Sequence, residues 1–206
     1  MPDTPPPSTS EATYAERLQR LSQRGGWLRR VIDPQRPYRW NLRRIHPGFV
    51  LDIGCGIGRN LNHLDGNGVG IDHNVACVAA CNAAGLRAFE PDAFLASEFA
   101  VPQRFDSLLL AHVIEHMTAA EAETVLSTYL PFVRADGRVI VITPQERGQA
   151  SDATHVRFFD EDAVRVLAEH LSLRVMSIRS FPFPRFAGRA FTYNETVSVL
   201  ARSVTA

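Results

Sequence analysis

Short apolar runs recur along the chain between polar, turn-forming residues, and they predict β-strands. Continuous apolarity over so few residues is typical of a strand that is buried on both faces. The run at 86–90 is the weakest, and the two last segments are less regular. The predicted strands span 49–53, 68–72, 86–90, 105–111, 137–143, 171–178 and 192–202.

Amphipathic or alanine-rich segments between these runs predict helices, and capping residues mark their ends. Asn74 and Asp160 stand where an N-cap is expected, and Gly85 stands just past the end of a helix. Thr118 and Glu121 have the spacing of a capping box. The predicted helices span 11–24, 58–64, 74–84, 118–132 and 160–170.

The order of these elements predicts the architecture. Strands and helices alternate with short connectors, which is typical of an α/β fold built on a doubly wound parallel sheet. Ligands of such sheets bind beyond the carboxyl ends of the strands. We therefore expect the functional residues directly after the predicted strands.

The same pattern divides the chain into three parts. Residues 1–10 contain four prolines among Ser and Thr, and we predict that this tail is disordered. Residues 11–45 form a helical segment that we expect to act as a lid over the site. Residues 46–206 hold the alternating strands and helices of the main domain.

Composition and charge narrow the function classes. The 206 residues are 45% hydrophobic and carry 22 basic and 22 acidic side chains. This balance disfavours a nucleic-acid partner, although residues 17–44 hold nine arginines and one acid. We expect no membrane insertion, because no apolar run approaches the length that a spanning helix needs. Three cysteines and the lack of a secretory pattern predict a cytoplasmic protein.

Three glycines follow the first predicted strand, and their spacing excludes two familiar phosphate loops. Asp52 precedes Gly54, Gly56 and Gly58. A dinucleotide-binding fingerprint needs a glycine where Arg59 stands, which speaks against a nucleotide-dependent oxidoreductase. A P-loop would need Gly-Lys-Ser/Thr, and the sequence lacks it. Glycines between a strand and a helix still allow the backbone to approach a ligand closely.

The segment 50–60, VLDIGCGIGRN, resembles motif I of the class I S-adenosylmethionine-dependent methyltransferases. The resemblance extends over about 46–202 and implies a Rossmann-like seven-stranded sheet of order 3-2-1-4-5-7-6 with strand 7 antiparallel. It also implies S-adenosylmethionine as cofactor, with acids after the second and third strands at the ribose and the adenine. The residues assigned to the cofactor on this basis are Asp52, Gly54, Cys55, Gly56, Asp72, His73, Asp92, Ala93 and His112.

Two histidines and a carboxylate follow the fourth predicted strand. His112, Glu115 and His116 would share one face if this segment were helical. Ubiquinone-pathway O-methyltransferases have a similar Glu-x-x-Glu-His, with which a metal is associated. His112 replaces the first Glu of that pattern, which speaks against magnesium. We therefore assign no metal and keep these three residues as the candidate ligands; a cofactor contact or a structural role is the alternative.

The segment after the fifth strand, 144–159, is predicted to be an irregular loop that selects the substrate. Its Thr-His-x-Arg-Phe-Phe stretch is similar to stretches in small-molecule and glycan methyltransferases. His155 is the first candidate for a general base, with Asp152 to orient it and His112 and His116 as alternatives. Arg157 is a candidate substrate contact, as are Tyr38, Arg39 and Trp40 of the lid segment.

These observations predict an enzyme that transfers a methyl group to a hydroxyl of a small molecule or glycan. Nitrogen or carbon acceptors remain open, because a fold and a cofactor do not define the acceptor. A non-catalytic module that only binds the cofactor is the rival from another class. The sequence leaves the oligomeric state undetermined.

Overall fold

A computed structural model describes residues 33–202. The predicted disordered tail, 1–10, and the predicted helix at 11–24 lie outside the described residues. Within the described part, no helix is long and apolar enough to cross a membrane.

Seven strands form one sheet, in the order β3-β2-β1-β4-β5-β7-β6. The first five strands run parallel, and β7 runs antiparallel to both of its neighbours, β5 and β6. This confirms the predicted strand order. The strands are β1 Val50–Ile53, β2 Gly68–Ile71, β3 Ala88–Phe89, β4 Phe105–Ala111, β5 Val133–Pro144, β6 Leu173–Phe181 and β7 Glu195–Arg202.

Helices connect the strands and begin at the predicted caps. The side chain of Asn74 accepts from two backbone N–H groups, Thr118 and Glu121 form the full capping box, and Asp160 accepts from Ala163. The helices are α1 Arg36–Arg43, α2 Arg59–His63, α3 Val75–Ala83, α4 Pro91–Leu95, α5 Ala119–Tyr129, α6 Glu146–Gln149 and α7 Glu161–His170. Short 3₁₀ turns span Ile114–His116, Leu130–Phe132 and Arg185–Arg189.

The central strands are buried on both faces, as their continuous apolarity predicts. In β4, Leu108 and Leu110 belong to one hydrophobic cluster while Leu109 and Ala111 belong to the cluster on the other face. Alternation of side chains along a strand produces this separation. The second cluster includes Leu42 of α1, so part of the predicted lid segment packs directly on the sheet.

Three local predictions differ from the structure. Helix α1 lies in the part of the predicted helical segment 11–45 for which no separate helix was assigned, because its arginines hide the apolar stripe that Leu42 completes. The region 144–159 is not wholly irregular, since β5 continues to Pro144 and α6 follows it. The segment that contains His112 is not a helix, because His112 has φ of +60° and only a 3₁₀ turn follows.

Candidate cofactor and acceptor site

The glycine loop after β1 has a backbone that other residues adopt with difficulty. Gly54, Gly56 and Gly58 have φ of +68°, +54° and +79°. A Cβ atom on Gly54 would also lie 2.5 Å from Cγ2 of Val113. Glycine at these positions therefore satisfies a left-handed backbone and a close approach of the next loop.

Hydrogen bonds inside this loop use its backbone N–H groups. The N–H groups of Gly54 and Cys55 donate to the carbonyl of Ile71 at 2.7 and 3.1 Å, and the N–H of Gly56 donates to Asp72 Oδ2 at 2.7 Å. A phosphate cradle needs such N–H groups to point at the ligand. Since the N–H groups of Gly54, Cys55 and Gly56 are already used, the loop is unsuited to a phosphate.

Asp52 is the last but one residue of β1 and is fully buried. Among the described residues, neither of its carboxylate oxygens makes a hydrogen bond of good geometry. Burial raises the pKa of Asp52 to about 7, while the charge of Arg59 and the nearby side chain of Asn60 oppose that rise. A buried carboxylate without a partner is costly, so this position suits the cationic end of a ligand.

Asp72 connects the glycine loop to the end of β2. Its Oδ1 accepts from the N–H of Asn74 at 2.8 Å, in addition to the bond from Gly56. An ionised carboxylate has about four lone-pair sites, so Asp72 keeps the capacity to accept from ribose hydroxyls. The adjacent His73 is exposed, with its Nδ1 3.8 Å from Asp72 Oδ1.

The other residues assigned to the cofactor lie next to these. Asp92 and Ala93 are exposed in the first turn of α4, directly after β3, which pairs with β2. Cys55 is buried, and its Sγ would lie 2.5 Å from a Cβ on Gly70. Hydrogen bonding to Cys81 and burial raise the pKa of the Cys55 thiol, so Cys55 is a packing residue of the loop rather than a reactive thiol.

S-adenosylmethionine fits this arrangement. It carries no phosphate, and its amino-acid end presents an ammonium next to a sulfonium. Asp52 and the loop carbonyls would face that end, while Asp72 and Asp92 stand after the two strands where the ribose and the adenine are expected. The orphaned carboxylate of Asp52 is the observation on which this fit depends.

His112 lies between two carboxylates at the end of β4. Its Nδ1 is 3.2 Å from Glu115 Oε1, and its Nε2 is 2.8 Å from Glu195 Oε1. Burial lowers the pKa of His112, but the bonds to both carboxylates outweigh it and raise the pKa to about 9. Both ring nitrogens of His112 are thus paired with carboxylates, and this pairing favours the protonated form. The arrangement does not support the predicted roles of His112 as a reserve base or as a metal ligand.

Glu195 is a residue of the site that the sequence interpretation missed. It is the first residue of β7 and is separated from His112 by 83 positions. No local motif marks it. Only the antiparallel insertion of β7 beside β5 brings it to this edge of the sheet.

His116 and His155 face each other, with ring centroids 4.8 Å apart. His116 Nδ1 lies 3.2 Å from the carbonyl of Thr154, and His155 Nδ1 lies 2.9 Å from the carbonyl of Gln149. Since a carbonyl can only accept, each Nδ1 carries a proton, and Nε2 is the ring nitrogen that could accept one. The structure thus brings together two of the three predicted bases.

Asp152 does not orient His155 as predicted. Its Oδ1 accepts from the backbone N–H and the hydroxyl of Thr154, at 3.0 and 2.8 Å. Asp152 therefore shapes the turn that presents the Thr154 carbonyl to His116, and the Gln149 carbonyl orients His155 instead.

The set of candidate metal ligands in the structure differs from the set that the sequence predicts. One ligand atom from each of Glu115, His116 and His155 lies within 4.8 Å of the other two. His155 thus takes the place that the sequence interpretation gave to His112. The predicted shared helical face does not exist, because the chain turns sharply at His112.

The predicted substrate contacts separate into two groups. Tyr38 donates from its hydroxyl to the carbonyl of Tyr193 at 2.8 Å, and burial together with the charge of Glu195 raises its pKa to about 12. Arg39 instead pairs with Asp33 at 2.9 Å. Trp40 is 56% exposed and lies in an arginine-rich surface depression of about 450 Å³.

Arg157 lies close to the histidines through its backbone. Its N–H and that of Val156 donate to the carbonyl of Glu115, at 3.2 and 2.8 Å. Its exposed guanidinium lies 5.4 Å from the ring centroid of Phe159. Among the predicted substrate contacts, Tyr38 and Arg157 are therefore the two that lie beside the site.

Similarities to known proteins agree with the fold and the loop. A search of the curated protein sequences found no match. The family model of the methionine biosynthesis protein MetW matches residues 37–147, just over half of the chain. This range contains the glycine loop, Glu115 and His116, but neither His155 nor Glu195.

Solved methyltransferase structures share the whole fold at low sequence identity. A SAM-dependent methyltransferase from Archaeoglobus fulgidus is 19% identical, with a TM-score of 0.65 over 90% of this chain and 98% of that chain. The magnesium protoporphyrin IX methyltransferase of Synechocystis with bound SAH is 15% identical, with a TM-score of 0.65 over 95% and 97%. A Burkholderia thailandensis N1-methyltransferase with bound 1,6-didemethyltoxoflavin is 18% identical, with a TM-score of 0.59 over 97% and 92%.

The strand order, the glycine loop and the match over more than half of the sequence lead to one assignment. The chain has the class I S-adenosylmethionine-dependent methyltransferase fold and belongs to the MetW family.

Proposed function

We propose that the protein transfers a methyl group from S-adenosylmethionine to a hydroxyl of a small molecule or glycan. The observation that carries the proposal is the buried, unpartnered carboxylate of Asp52 beside a glycine loop whose N–H groups are already used. Such a site selects a cationic ligand without phosphate. The class I methyltransferase fold supports the same cofactor.

The cofactor supplies an electrophilic methyl group, so the chain needs only to hold it, align the acceptor and manage one proton. Asp52 would bind the ammonium, Asp72 with His73 the ribose, and Asp92 with Ala93 the adenine. Orienting the two reactants can contribute roughly 7–11 kcal/mol. No covalent intermediate on the enzyme is required.

The paired imidazoles of His116 and His155 support a hydroxyl acceptor. A hydroxyl is a weak acid, so its proton must leave as the new bond forms, and a positioned base is typically worth about 10²–10⁴-fold. We propose that His155 is this base, because the Gln149 carbonyl fixes its Nδ1–H and leaves Nε2 able to accept a proton. His116 is its neighbour and alternative, whereas both ring nitrogens of His112 are paired with carboxylates.

Nitrogen and carbon acceptors are the alternatives within the same reaction class. The similar structures include an N1-methyltransferase and a magnesium protoporphyrin methyltransferase, so this fold accommodates diverse acceptors. A module that binds the cofactor without turnover is the remaining alternative. The imidazole pair beside the cofactor loop favours catalysis.

The family description supports a second candidate, a role in methionine biosynthesis. It rests on the MetW match over 37–147. Deleting the gene from its host and growing the strain with and without methionine tests this role. Growth without methionine that equals the parent strain excludes it and leaves the methyltransferase proposal untouched.

Calorimetric titration with S-adenosylhomocysteine tests the cofactor proposal. Gly56→Val places a β-branched residue at φ of +54° in the loop and should abolish binding. Gly85→Val is the matched control, because Gly85 also has a positive φ, +78°, but lies past the end of α3. Equal affinities of wild type and a folded Gly56→Val protein would refute the assignment of the loop.

Turnover is tested with S-adenosylmethionine that carries a labelled methyl group. The enzyme is offered matched acceptors that differ only in a hydroxyl, an amine or a thiol. We expect label transfer to the hydroxyl compounds. Transfer to amines alone would contradict the hydroxyl proposal, and cofactor binding without any transfer would favour the binding module.

A further inference from the structure

Glu115, His116 and His155 converge where β4 ends and the loop after β5 begins. One ligand atom from each lies within 4.8 Å of the other two. Glu115 is fully buried, and both histidines are partly buried. A carboxylate and two imidazoles at this distance are either a hydrogen-bonded cluster or a cation site, and their hydrogen bonds distinguish the two.

Nε2 of His116 and Nε2 of His155 make no hydrogen bond to other residues of the described part, 33–202. His116 and His155 each direct Nδ1–H at a backbone carbonyl, of Thr154 and of Gln149. The Thr154 hydroxyl cannot protonate His116 Nδ1 instead, because it donates to Asp152 Oδ1 at 2.8 Å. Metal-binding histidines characteristically donate their second N–H to a backbone carbonyl or a carboxylate, which orients the ligating nitrogen.

The carboxylate of Glu115 provides a second observation, independent of the histidines, that indicates a bound cation. Its Oε1 lies 3.2 Å from His112 Nδ1, but its Oε2 is buried and has no hydrogen-bond partner among residues 33–202. Leaving a buried carboxylate oxygen unsatisfied is unfavourable unless a cation or a donor completes the site. The pairing with His112 holds the carboxylate in place, as outer-shell partners do for metal ligands.

We propose that Glu115, His116 and His155 bind a divalent transition-metal ion of the zinc class. Two imidazoles and one carboxylate form a common donor set of catalytic zinc, with a further position open to water or substrate. In tetrahedral zinc sites with bonds of about 2.0–2.2 Å, the ligand atoms lie about 3.3–3.6 Å apart. Atoms that now stand at the 4.8 Å limit would therefore have to approach by roughly 1.2–1.5 Å when the ion binds.

The ion would act on the methyl acceptor, and this part of the inference rests on the proposed function. An acceptor hydroxyl at the open position would be acidified as metal-bound water is. Its proton passes to solvent, the oxygen pair forms the bond to the methyl carbon, and the carbon–sulfur bond breaks with its electrons on sulfur. With the ion bound, His155 would serve as a ligand, and the role of His155 as base proposed above would apply to the metal-free enzyme.

Titration of the metal-stripped protein with Co²⁺ tests the site directly. Visible absorption reports tetrahedral Co²⁺ with nitrogen and oxygen ligands, and competition with Zn²⁺ gives the affinity of the ion. We expect one equivalent to bind. His155→Ala and His116→Gln should each weaken binding by at least about 100-fold, because even outer-shell changes cost about 10–100-fold. His170→Ala removes an exposed histidine that also pairs with a carboxylate, Glu123, and is the matched control.

Circular dichroism and S-adenosylhomocysteine binding are measured on the same samples. No stoichiometric Co²⁺ binding to the folded wild type would overturn the metal site, as would equal binding by wild type and His155→Ala. Either result leaves the cofactor proposal standing if S-adenosylhomocysteine still binds. Conversely, Co²⁺ binding without S-adenosylhomocysteine binding would uphold the metal site and refute the cofactor proposal.

Discussion

At the scale of single residues, the burial of the Asp52 carboxylate is unfavourable in the apo protein and favours the binding of a cationic ligand. Its carboxylate is buried without a partner, and burial is the main cause of its raised pKa. The apo protein therefore bears a cost that a cationic ligand removes. The role of Asp52 can therefore be tested by measuring the stability of the apo protein and its affinity for the cofactor.

The first prediction is that Asp52→Asn stabilises the apo protein at pH 8. A folded pKa of about 7, raised from 3.8, gives a contribution to stability that is full below about 4 and is lost as pH rises through about 7. Removing the charge should recover roughly 1–3 kcal/mol, since one pKa unit is about 1.4 kcal/mol and the amide is still buried. Thermal melting at pH 8 measures this as a rise of about 2–4 °C per kcal/mol. The exposed Asp162→Asn is the control, and a fall in Tm would contradict the argument.

The second prediction concerns the pH dependence of cofactor binding. A bound ammonium favours the ionised form of Asp52, so binding of the ligand is coupled to the release of a proton from this carboxyl group. Affinity for S-adenosylhomocysteine should be highest above pH 7 and should fall by up to about tenfold for each pH unit below it. Calorimetry between pH 5 and 8 checks this, and Asp52→Asn should bind more weakly with a flat profile. A flat profile for the wild type would show that Asp52 does not bind the ammonium.

The third prediction is that His155→Ala lowers kcat by about 10²–10⁴-fold, the usual contribution of a general base. Cofactor affinity should stay nearly unchanged, because His155 is anchored to Gln149 outside the glycine loop. Steady-state kinetics and calorimetry measure the two quantities. A decrease of kcat by less than about tenfold would exclude His155 as the base. Co²⁺ titration of the same variant distinguishes the role of His155 as a base from its role as a metal ligand.

At the scale of elements, α1 packs on the sheet, and the lid role of the segment 11–45 stays a prediction. Leu42 is only 2% exposed and joins Val50 and Leu109 in the second hydrophobic cluster. Tyr38 on the same helix reaches Tyr193 and Phe181 at the far end of the sheet. The helix therefore closes one face of the domain and presents Tyr38 to the acceptor side.

The fourth prediction compares two substitutions on α1. Leu42→Ala should lower the free energy of unfolding by roughly 2–5 kcal/mol, the usual cost of a cavity at a buried leucine. Trp40→Ala should cost about 1 kcal/mol or less, because this exposed ring mainly contacts the Arg44 guanidinium at 4.6 Å. Urea denaturation of both proteins checks the comparison. Equal losses would show that α1 does not pack on the sheet.

At the scale of the whole molecule, a buried polar cluster holds the end of β5 against β6 and β7. Gln145 Nε2 donates to Ser180 and to the Glu195 carbonyl, at 2.9 and 3.1 Å, and its Oε1 accepts from Asn194 at 2.9 Å. Asn194 also accepts from the backbone N–H of Phe183 at 2.9 Å. This cluster places Glu195 beside His112.

The fifth prediction is that Asn194→Ala destabilises the protein by roughly 2–4 kcal/mol. The change removes the Asn194 amide from Gln145 Oε1, which keeps only the 3.5 Å contact with Arg185, and it leaves the partly buried Phe183 N–H without its acceptor. A polar group left unsatisfied in a buried place typically costs about 1–3 kcal/mol. Chemical denaturation measures the loss, with Asn67→Ala as control because Asn67 makes an exposed hydrogen bond to the Gly48 carbonyl. Similar values for both variants would contradict the role of the cluster.

The sequence by itself determined the elements, the sheet type and the cofactor loop. Strand periodicity, the caps at Asn74, Thr118 and Asp160, and the spacing of Asp52 from the glycines all depend on residues within a few positions of one another. Local sterics and hydrogen bonding set such features, so a pattern in one segment is sufficient to predict them. Helix α1 was not assigned from the sequence, because its apolar stripe is narrow and is surrounded by arginines.

Only the tertiary structure determined which groups surround the histidines on the acceptor side of the site. His112 meets Glu195 across 83 positions, and His116 meets the Thr154 carbonyl across 38. These contacts depend on β7 inserting antiparallel beside β5 and on the turn that Asp152 forms, and neither leaves a periodic trace near the histidines. The chemistry of an imidazole depends on which groups its two nitrogens face, and chain topology brings those groups together from distant segments.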